Sequence, residues 1–347
     1  MDHCSALNGK LVAVPGMSTN GSERVEFSLT APMAPTASGI SVIVPVYNSQ
    51  DSLPLLIERL EAVLNSCAPK FEVILVDDCS QDKSWEVIVE LMQRYRWVRG
   101  IGLMRNFGQH NALLCGIREA RHEVIVTLDD DLQNPPEEIP KMLEGLGAGF
   151  DVVYGTPDHQ QHGLLRGMAS TLTKIALQSA MGADTARHVS AYRVFRTQVR
   201  DAFADYKGPY VSIDVLLTWG TTRFVAATVR HDPRTIGNSG YTVRKLIRHA
   251  MNMMTGFSTF PLQMASIIGF IFTFFGIGIL TYVLLNYFVY GSTVAGFPFL
   301  ASVTAIFSGA QLFALGIIGE YLARMHFRTM DRPPYAIRRM LHEREDP

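Results

Sequence analysis

The sequence predicts an α/β protein, a mostly parallel sheet in a cytoplasmic domain followed by a hairpin of two membrane-crossing helices. Three observations carry this. Short apolar runs of buried-strand type alternate with amphipathic helical segments from Ile40 to Gly155. Polar, acid-rich clusters stand at the carboxyl ends of four of those runs. No Asp, Glu, Lys or Arg occurs between Arg248 and Glu320, an interval long enough for two spans of roughly 20 residues each.

Residues 1–39 are rich in Ser, Thr, Gly, Ala and Pro without strand or helix period, and read as a flexible extension. "ISVIVPV" opens the domain as a strand, and 52–66 suits a helix with Leu53, Leu56, Ile57, Leu60 and Leu64 on one face. "FEVILVDD" is a second strand, followed by a helix over 82–95. "VRGIGLM" and a helix over 109–120 come next, then "EVIVTLDDD" and, after another helix, "FDVVYG". The domain is expected to run over 40–230, with a basic amphipathic juxtamembrane segment over 231–260.

The spans read as Pro261–Tyr290 and Phe297–Leu322, joined by a short uncharged turn. Arg244, Lys245 and Arg248 precede the first, and Arg324, Arg328 and Arg332 follow the second. Positive charge on both flanks predicts that both termini, including a tail over 324–347, are cytoplasmic. In a bacterium the membrane would be the inner one. Glu320 falls where the second span re-enters the interface, placed for snorkelling or for an arginine partner.

Composition excludes several classes. With 347 residues and a formal charge of −1, no global field points to nucleic acid. Four scattered cysteines form no CxxC, which argues against a zinc site or a disulfide framework. No G-x-G-x-x-G or P-loop opens a helix.

Ligands of an open parallel sheet bind beyond the carboxyl ends of its strands. Here those ends read "PVYNS", "VDDCS", "RNFGQH" and "LDDDLQ". Asp77 and Asp78 could accept hydrogen bonds from a base or ribose, or cap the following helix. Two acidic strand ends on one crevice repel unless a cation or ligand donors offset them. Alternation points Asp129 and Asp131 one way and Asp130 the other. Carboxylates completed by water and phosphate oxygens suit Mg²⁺ or Mn²⁺.

"VPVYN", "VDD-S", "RNFGQH", "DDDLQNPPEEIP", "FDVVYGT", "YRVFR" and "RTIGNSGYTVRKL", in that order and ahead of two membrane helices, resemble the family 2 glycosyltransferases that charge a polyprenyl phosphate with a sugar. The resemblance covers about 40–328. It implies a GT-A (Rossmann-like) fold and inverting transfer from a nucleotide-diphosphate sugar, UDP-linked by preference, to polyprenyl phosphate at the bilayer. It makes Pro45, Tyr47 and Asp78 nucleotide-binding, with Asn48 and Asp77 in the same set. Asp129 and Asp131 become the metal and diphosphate site, and Gln133 lies near the sugar. Arg193 and Arg234 match positions that meet phosphates, Ser239 lies in the last motif, and a homotetramer is suggested.

Four residues depart from the family pattern. Ser49 stands where glutamate is common, Cys79 where glycine is, Pro157 where arginine is, and Gly240 where many members carry lysine. Arg244 and Lys245 could compensate for the two missing cations. A processive polysaccharide synthase is disfavoured, since no Q-x-x-R-W occurs and the spans are few. A non-catalytic membrane-anchored scaffold that binds nucleotide sugars stays open, as does the identity of the sugar. The "GQH" and "QNPPEEIP" segments are similar to the aminoarabinose-transferring branch.

Overall fold

The computed structural model describes residues 24–25, 37–157, 189–208, 210–232, 260–291 and 296–341. Among them the strands form one sheet in the order β1-β8-β6-β7-β5-β2-β3-β4-β9. The first half is β2 (Ile40–Val46), α1 (Leu53–Cys67), β3 (Phe71–Asp77), α2 (Ser84–Arg94), β4 (Val98–Leu103), α3 (Gln109–Glu119) and β5 (Val124–Thr127). After it come α4 (Ile139–Gly147), β6 (Val152–Pro157), β7 (Arg193–Arg196), α5 (Ile213–Gly220) and β8 (Phe224–Val229). β2, β3, β4 and β5 are mutually parallel, and β7 runs antiparallel between β5 and β6.

Strands β2 and β4 are buried along their whole length, as strands covered on both faces must be. One apolar layer joins α1, α2 and α4 to the sheet, and the other is built by α3 and α5. On α1 the fully buried Leu56, Ile57, Leu60 and Leu64 repeat at helical spacing, each contributing about 1.5–3 kcal/mol by leaving water. Gly116 lets α3 lie close to β2, because a Cβ there would fall 2.3 Å from Ile43 Cγ2.

The strand order places a switch point in the sheet. The chain proceeds from β2 outward to β3 and β4, then returns to the opposite side of β2 to form β5. β2 pairs with β5 only from Ile40 to Ile43, yet stays paired with β3 to Val46. Past Ile43 a gap opens between β2 and β5. Pro45, buried in β2, lies along this parting, where a missing N–H costs the ladder least.

Two findings differ from the sequence-based expectation. Arg24–Val25 form β1 on the edge of β8, so part of the segment read as a flexible extension belongs to the sheet. The segment read as a tail also returns: β9 (Ile337–Leu341) pairs antiparallel with β4. Backbone ladders capture short apolar-polar stretches such as these without the long hydrophobic run that announces a central strand.

Helices α6 (Phe260–Tyr290) and α7 (Phe297–Thr329) follow the domain. Leu262–Val289 and Ile306–His326 are each long and apolar enough to cross a membrane. Phe272 meets Phe307 edge-to-face at 5.6 Å, and Gly276 lies against the same ring. Glu320 pairs with Arg324 at 2.8 Å one turn away, the arginine-partner alternative for that residue.

At the amino ends of the strands a buried ion pair ties four segments together. Glu72 accepts hydrogen bonds from Ser41 Oγ (2.7 Å), Arg99 Nη1 (2.8 Å) and the Arg121 amide (2.8 Å). Burial works to raise the Glu72 carboxyl, but Arg99, Ser41 and Arg121 hold it below the ordinary value. Its contribution is therefore complete above the unfolded carboxyl value near 4.5 and is lost as pH falls through the folded one. Removing one partner strands a buried charge, so Glu72→Ala is expected to cost about 3–5 kcal/mol. Denaturant titration of the full chain in detergent at neutral pH checks this, and the wild-type advantage should shrink in acid.

Candidate active site

The loops that follow β2 and β3 are zipped together by side chain–backbone bonds. The amides of Asn48 and Ser49 donate to Ser80 Oγ (3.0 Å) and Ser84 Oγ (2.8 Å). In return the Gln81 amide donates to Asn48 Oδ1 (2.7 Å) and the Lys83 amide to Gln50 Oε1 (3.0 Å). The short polar residues of "YNSQ" and "CSQDKS" thus satisfy loop amides that no strand or helix pairs. Asn48 and Cys79 adopt positive φ, 54° and 61°. Asn tolerates that conformation, while Cys79 carries the cost of a Cβ there. This is the physical reason a glycine suits the Cys79 position.

Asp78 organises the next wall. Its Oδ1 accepts from the Phe107 amide (2.7 Å) and its Oδ2 from the Gly108 amide (2.8 Å). Gly108, at φ 97°, makes the turn into α3 that a residue with a Cβ resists. Burial pushes the Asp78 carboxyl up to about 6, against the pull of those two amides, with Asp77 adding its charge. Asp77 Oδ1 accepts from the Ser80 amide at 3.0 Å. Both aspartates are 3% exposed.

β5 ends in the three aspartates, which diverge. Asp129 Oδ1 accepts from Gln109 Nε2 of α3 at 2.6 Å. Asp130 Oδ2 turns to the β2 loop, accepting from the Tyr47 amide (3.3 Å) and from Ser49 Oγ. Asp131 Oδ1 caps the Gln133 amide at 3.1 Å across Leu132, itself at φ 60°. Burial raises the Asp130 carboxyl, partly offset by Ser49 and Tyr47, and the charge of Asp131 adds to it. The Gln133 carbonyl accepts from the Asp232 amide at 2.9 Å, which brings the chain after β8 to the same crevice. Strained backbone at Asn48, Cys79 and Leu132 is concentrated here, as at many functional sites.

Four expected site residues lie on the two loops that flank the gap between β2 and β5, Tyr47 on one and Asp129, Asp131 and Gln133 on the other. Tyr47 is 46% exposed, an aromatic ring free of the core at the mouth. Others receive different work. Asn48 spends its carbonyl on the Gln81 amide, and Asp78 spends both oxygens on the β4–α3 loop, so these shape the wall from behind. Pro45 lies within β2 rather than at its tip.

Arg193 is engaged within the protein. It is expected at a phosphate, but it is buried and forked onto Asp214, Nε to Oδ1 at 2.6 Å and Nη2 to Oδ2 at 2.9 Å. Its Nη1 donates to Thr127 Oγ1 (3.3 Å) and the Ala191 carbonyl (3.0 Å). A guanidinium withdrawn from water needs this full set of acceptors. Burial alone would raise Asp214, yet Arg193 holds it below the ordinary carboxylate range. Tyr154 Oη also donates to Asp214 (3.2 Å), and His110 Nδ1 accepts from the Ile213 amide (3.3 Å). Asp214 was missed by sequence reasoning. Its signal is a lone carboxylate in the first turn of an otherwise apolar helix, which requires a buried cation. Arg234, Ser239, Arg244, Lys245 and Gly240 lie outside the described residues.

The donor chemistry fits a hard cation. Among the described residues no three His, Cys, Asp or Glu side chains converge closely enough to hold a metal unaided. Two carboxylates are what Mg²⁺ or Mn²⁺ requires when substrate phosphates and water complete its shell.

The description Glycosyl transferase family 2 matches residues 41–204. The chain is 33% identical over 305 residues to an undecaprenyl-phosphate 4-deoxy-4-formamido-L-arabinose transferase of Yersinia enterocolitica, covering 87% of this chain and 93% of that one. It is 34% identical over 309 residues to the protein of that name from Edwardsiella ictaluri, covering 88% and 95%. Among solved structures, a glucosyl-3-phosphoglycerate synthase of Mycobacterium tuberculosis superposes with a TM-score of 0.47 at 14% identity, covering 63% of this chain and 76% of that one.

Two outcomes test the site's architecture. Cys79→Gly removes a Cβ from a left-handed backbone, so a stability gain of up to about 1 kcal/mol is expected, read as a higher thermal midpoint; an unchanged or lower midpoint refutes the strain. Asp78 titrates higher folded than unfolded, so its ionisation takes stability away as pH rises from 3.8 to about 6. Asp78→Asn should lack that segment of the pH–stability curve.

Proposed function

The chain belongs to glycosyl transferase family 2, and from that premise we propose that it moves a sugar from a nucleotide-diphosphate donor, UDP-linked, to a polyprenyl phosphate at the cytoplasmic face of a membrane. The observation that supports this reading is the acid-rich loop after β5, joined to the β2 loop through Asp130 at the switch point of the sheet, in a chain that carries two membrane-length helices. The names of the relatives put undecaprenyl phosphate first among acceptors and a 4-deoxy-4-formamido-L-arabinose donor first among sugars.

The acceptor needs little activation. A phosphate monoester with a second pKa of about 6 is largely ionised near neutrality, so no strong base is required for its oxygen to attack C1. As that C–O bond forms, the bond from C1 to the diphosphate breaks, and a single displacement inverts the anomeric centre. The protein's task is to bring two anions together and hold them in line.

Asp129 and Asp131 are assigned to the metal and diphosphate, with Gln133 beside the sugar. A Mg²⁺ or Mn²⁺ ion held there supplies charge neutralisation for the departing diphosphate. Asp130 instead fastens the β5 loop to the β2 loop through Ser49 and Tyr47. Gln109 orients Asp129, and Arg193 lends positive potential beneath it from its seat on Asp214. Arg234, Ser239, Arg244 and Lys245 are assigned to the substrate phosphates.

Membranes containing the protein, undecaprenyl phosphate and Mn²⁺ should be incubated with radiolabelled nucleotide sugars, the 4-deoxy-4-formamido-L-arabinose donor first. Label is expected in the organic phase from one donor, and chelation should abolish it. Asp131→Ala should lower turnover by on the order of a hundredfold or more. Full activity in Asp131→Ala would remove the metal assignment, and absence of labelled lipid from every donor would end the transfer reading.

A further inference from the structure

A second cavity, of about 300 Å³, opens where the domain meets the chain leaving α7. Arg105, Asn106 and Asn111 line it from the β4–α3 loop and the start of α3, Tyr210 from the loop before α5, and Arg332 from the segment after α7. No lining residue is acidic. Among the described residues neither arginine has a carboxylate partner, and the neighbouring Asp331 faces Lys207 at 4.0 Å.

The cavity has firm walls. The segment after α7 is strapped along the domain by the Met104 amide on the Ala336 carbonyl (2.9 Å) and by Arg118 on Tyr335 Oη (3.4 Å). Its two aromatic walls are already covered, Phe107 by the Arg105 guanidinium at 4.6 Å and Tyr210 by that of Arg324 at 4.7 Å. Ring faces occupied in this way leave little for a base or sugar to stack on. What remains is two guanidinium forks and asparagine amides, a donor set matched to phosphate oxygens.

Location selects the source of that phosphate. The apolar span of α7 ends at His326, and Arg332 follows within roughly 15 Å along the chain. We propose that this cavity binds the phosphate of an anionic phospholipid headgroup, at a site separate from the sugar-transfer crevice. The occupant would sit against the loop whose Phe107 amide bonds Asp78 and whose neighbour Gln109 holds Asp129, so a bilayer lipid would steady one wall of the crevice. The inference rests on α6 and α7 lying in a bilayer and is independent of which sugar is transferred.

The test uses the full chain, delipidated in neutral detergent and then offered phosphatidylglycerol or phosphatidylcholine, with bound lipid counted by native mass spectrometry. Phosphatidylglycerol should be retained preferentially, and millimolar inorganic phosphate should fail to displace it. The double variant Arg105→Gln/Arg332→Gln should weaken retention on the order of tenfold or more, and Arg332→Gln alone about fivefold, while Arg332→Lys keeps most of it. A thermal midpoint equal to wild type in detergent establishes that each variant is folded; Arg332 is exposed, so the single variant serves if the double one is not. Equal retention of the two lipids, undiminished retention in Arg332→Gln, or displacement by inorganic phosphate overturns the proposal.

Discussion

The parting of β2 from β5 beyond Ile43 is the constraint on which the rest of the molecule depends. Two parallel strands that stay paired leave no room for a ligand. Here the ladder stops after four residue pairs, while β2 continues against β3 to Val46. The polar loops at the carboxyl ends of these strands are arranged around the resulting opening. The β2 and β3 loops are zipped into one wall, Asp78 gathers the β4–α3 loop into a second, and the aspartates after β5 supply the third. Each wall uses polar side chains to satisfy backbone amides that no strand or helix pairs.

The order of elements could be read in the sequence because buried parallel strands are nearly continuous apolar runs and their helices keep a helical period. α1 was anticipated within a residue at each end for this reason, Leu56, Ile57, Leu60 and Leu64 marking its buried face. β1 and β9 escaped because two- and five-residue edge strands carry no such signal; their identity comes from backbone partners far along the chain. The aspartates after β5 stand out in the sequence because clustered like charges at a strand end repel.

What could not be read was which polar residue faces the crevice and which faces the protein. Arg193 and Asp78 look like ligand-binding residues because Arg and Asp are expensive to bury. Each nevertheless has its partners within the fold, Arg193 on Asp214 and Asp78 on two loop amides. A buried charge and a binding charge share a sequence signature.

The return of the chain to β4 after α7 has a mechanical meaning. The polypeptide leaves the sheet at β8, near one margin, passes through both long helices, and rejoins it as β9 at the opposite margin. The helical hairpin is therefore slung from two sides like the bail of a bucket, not hung from a single cord. The ladder between β9 and β4 holds that return of the chain to the sheet. It also seals the exposed rim of β4, a margin that would otherwise invite a stray strand from another chain.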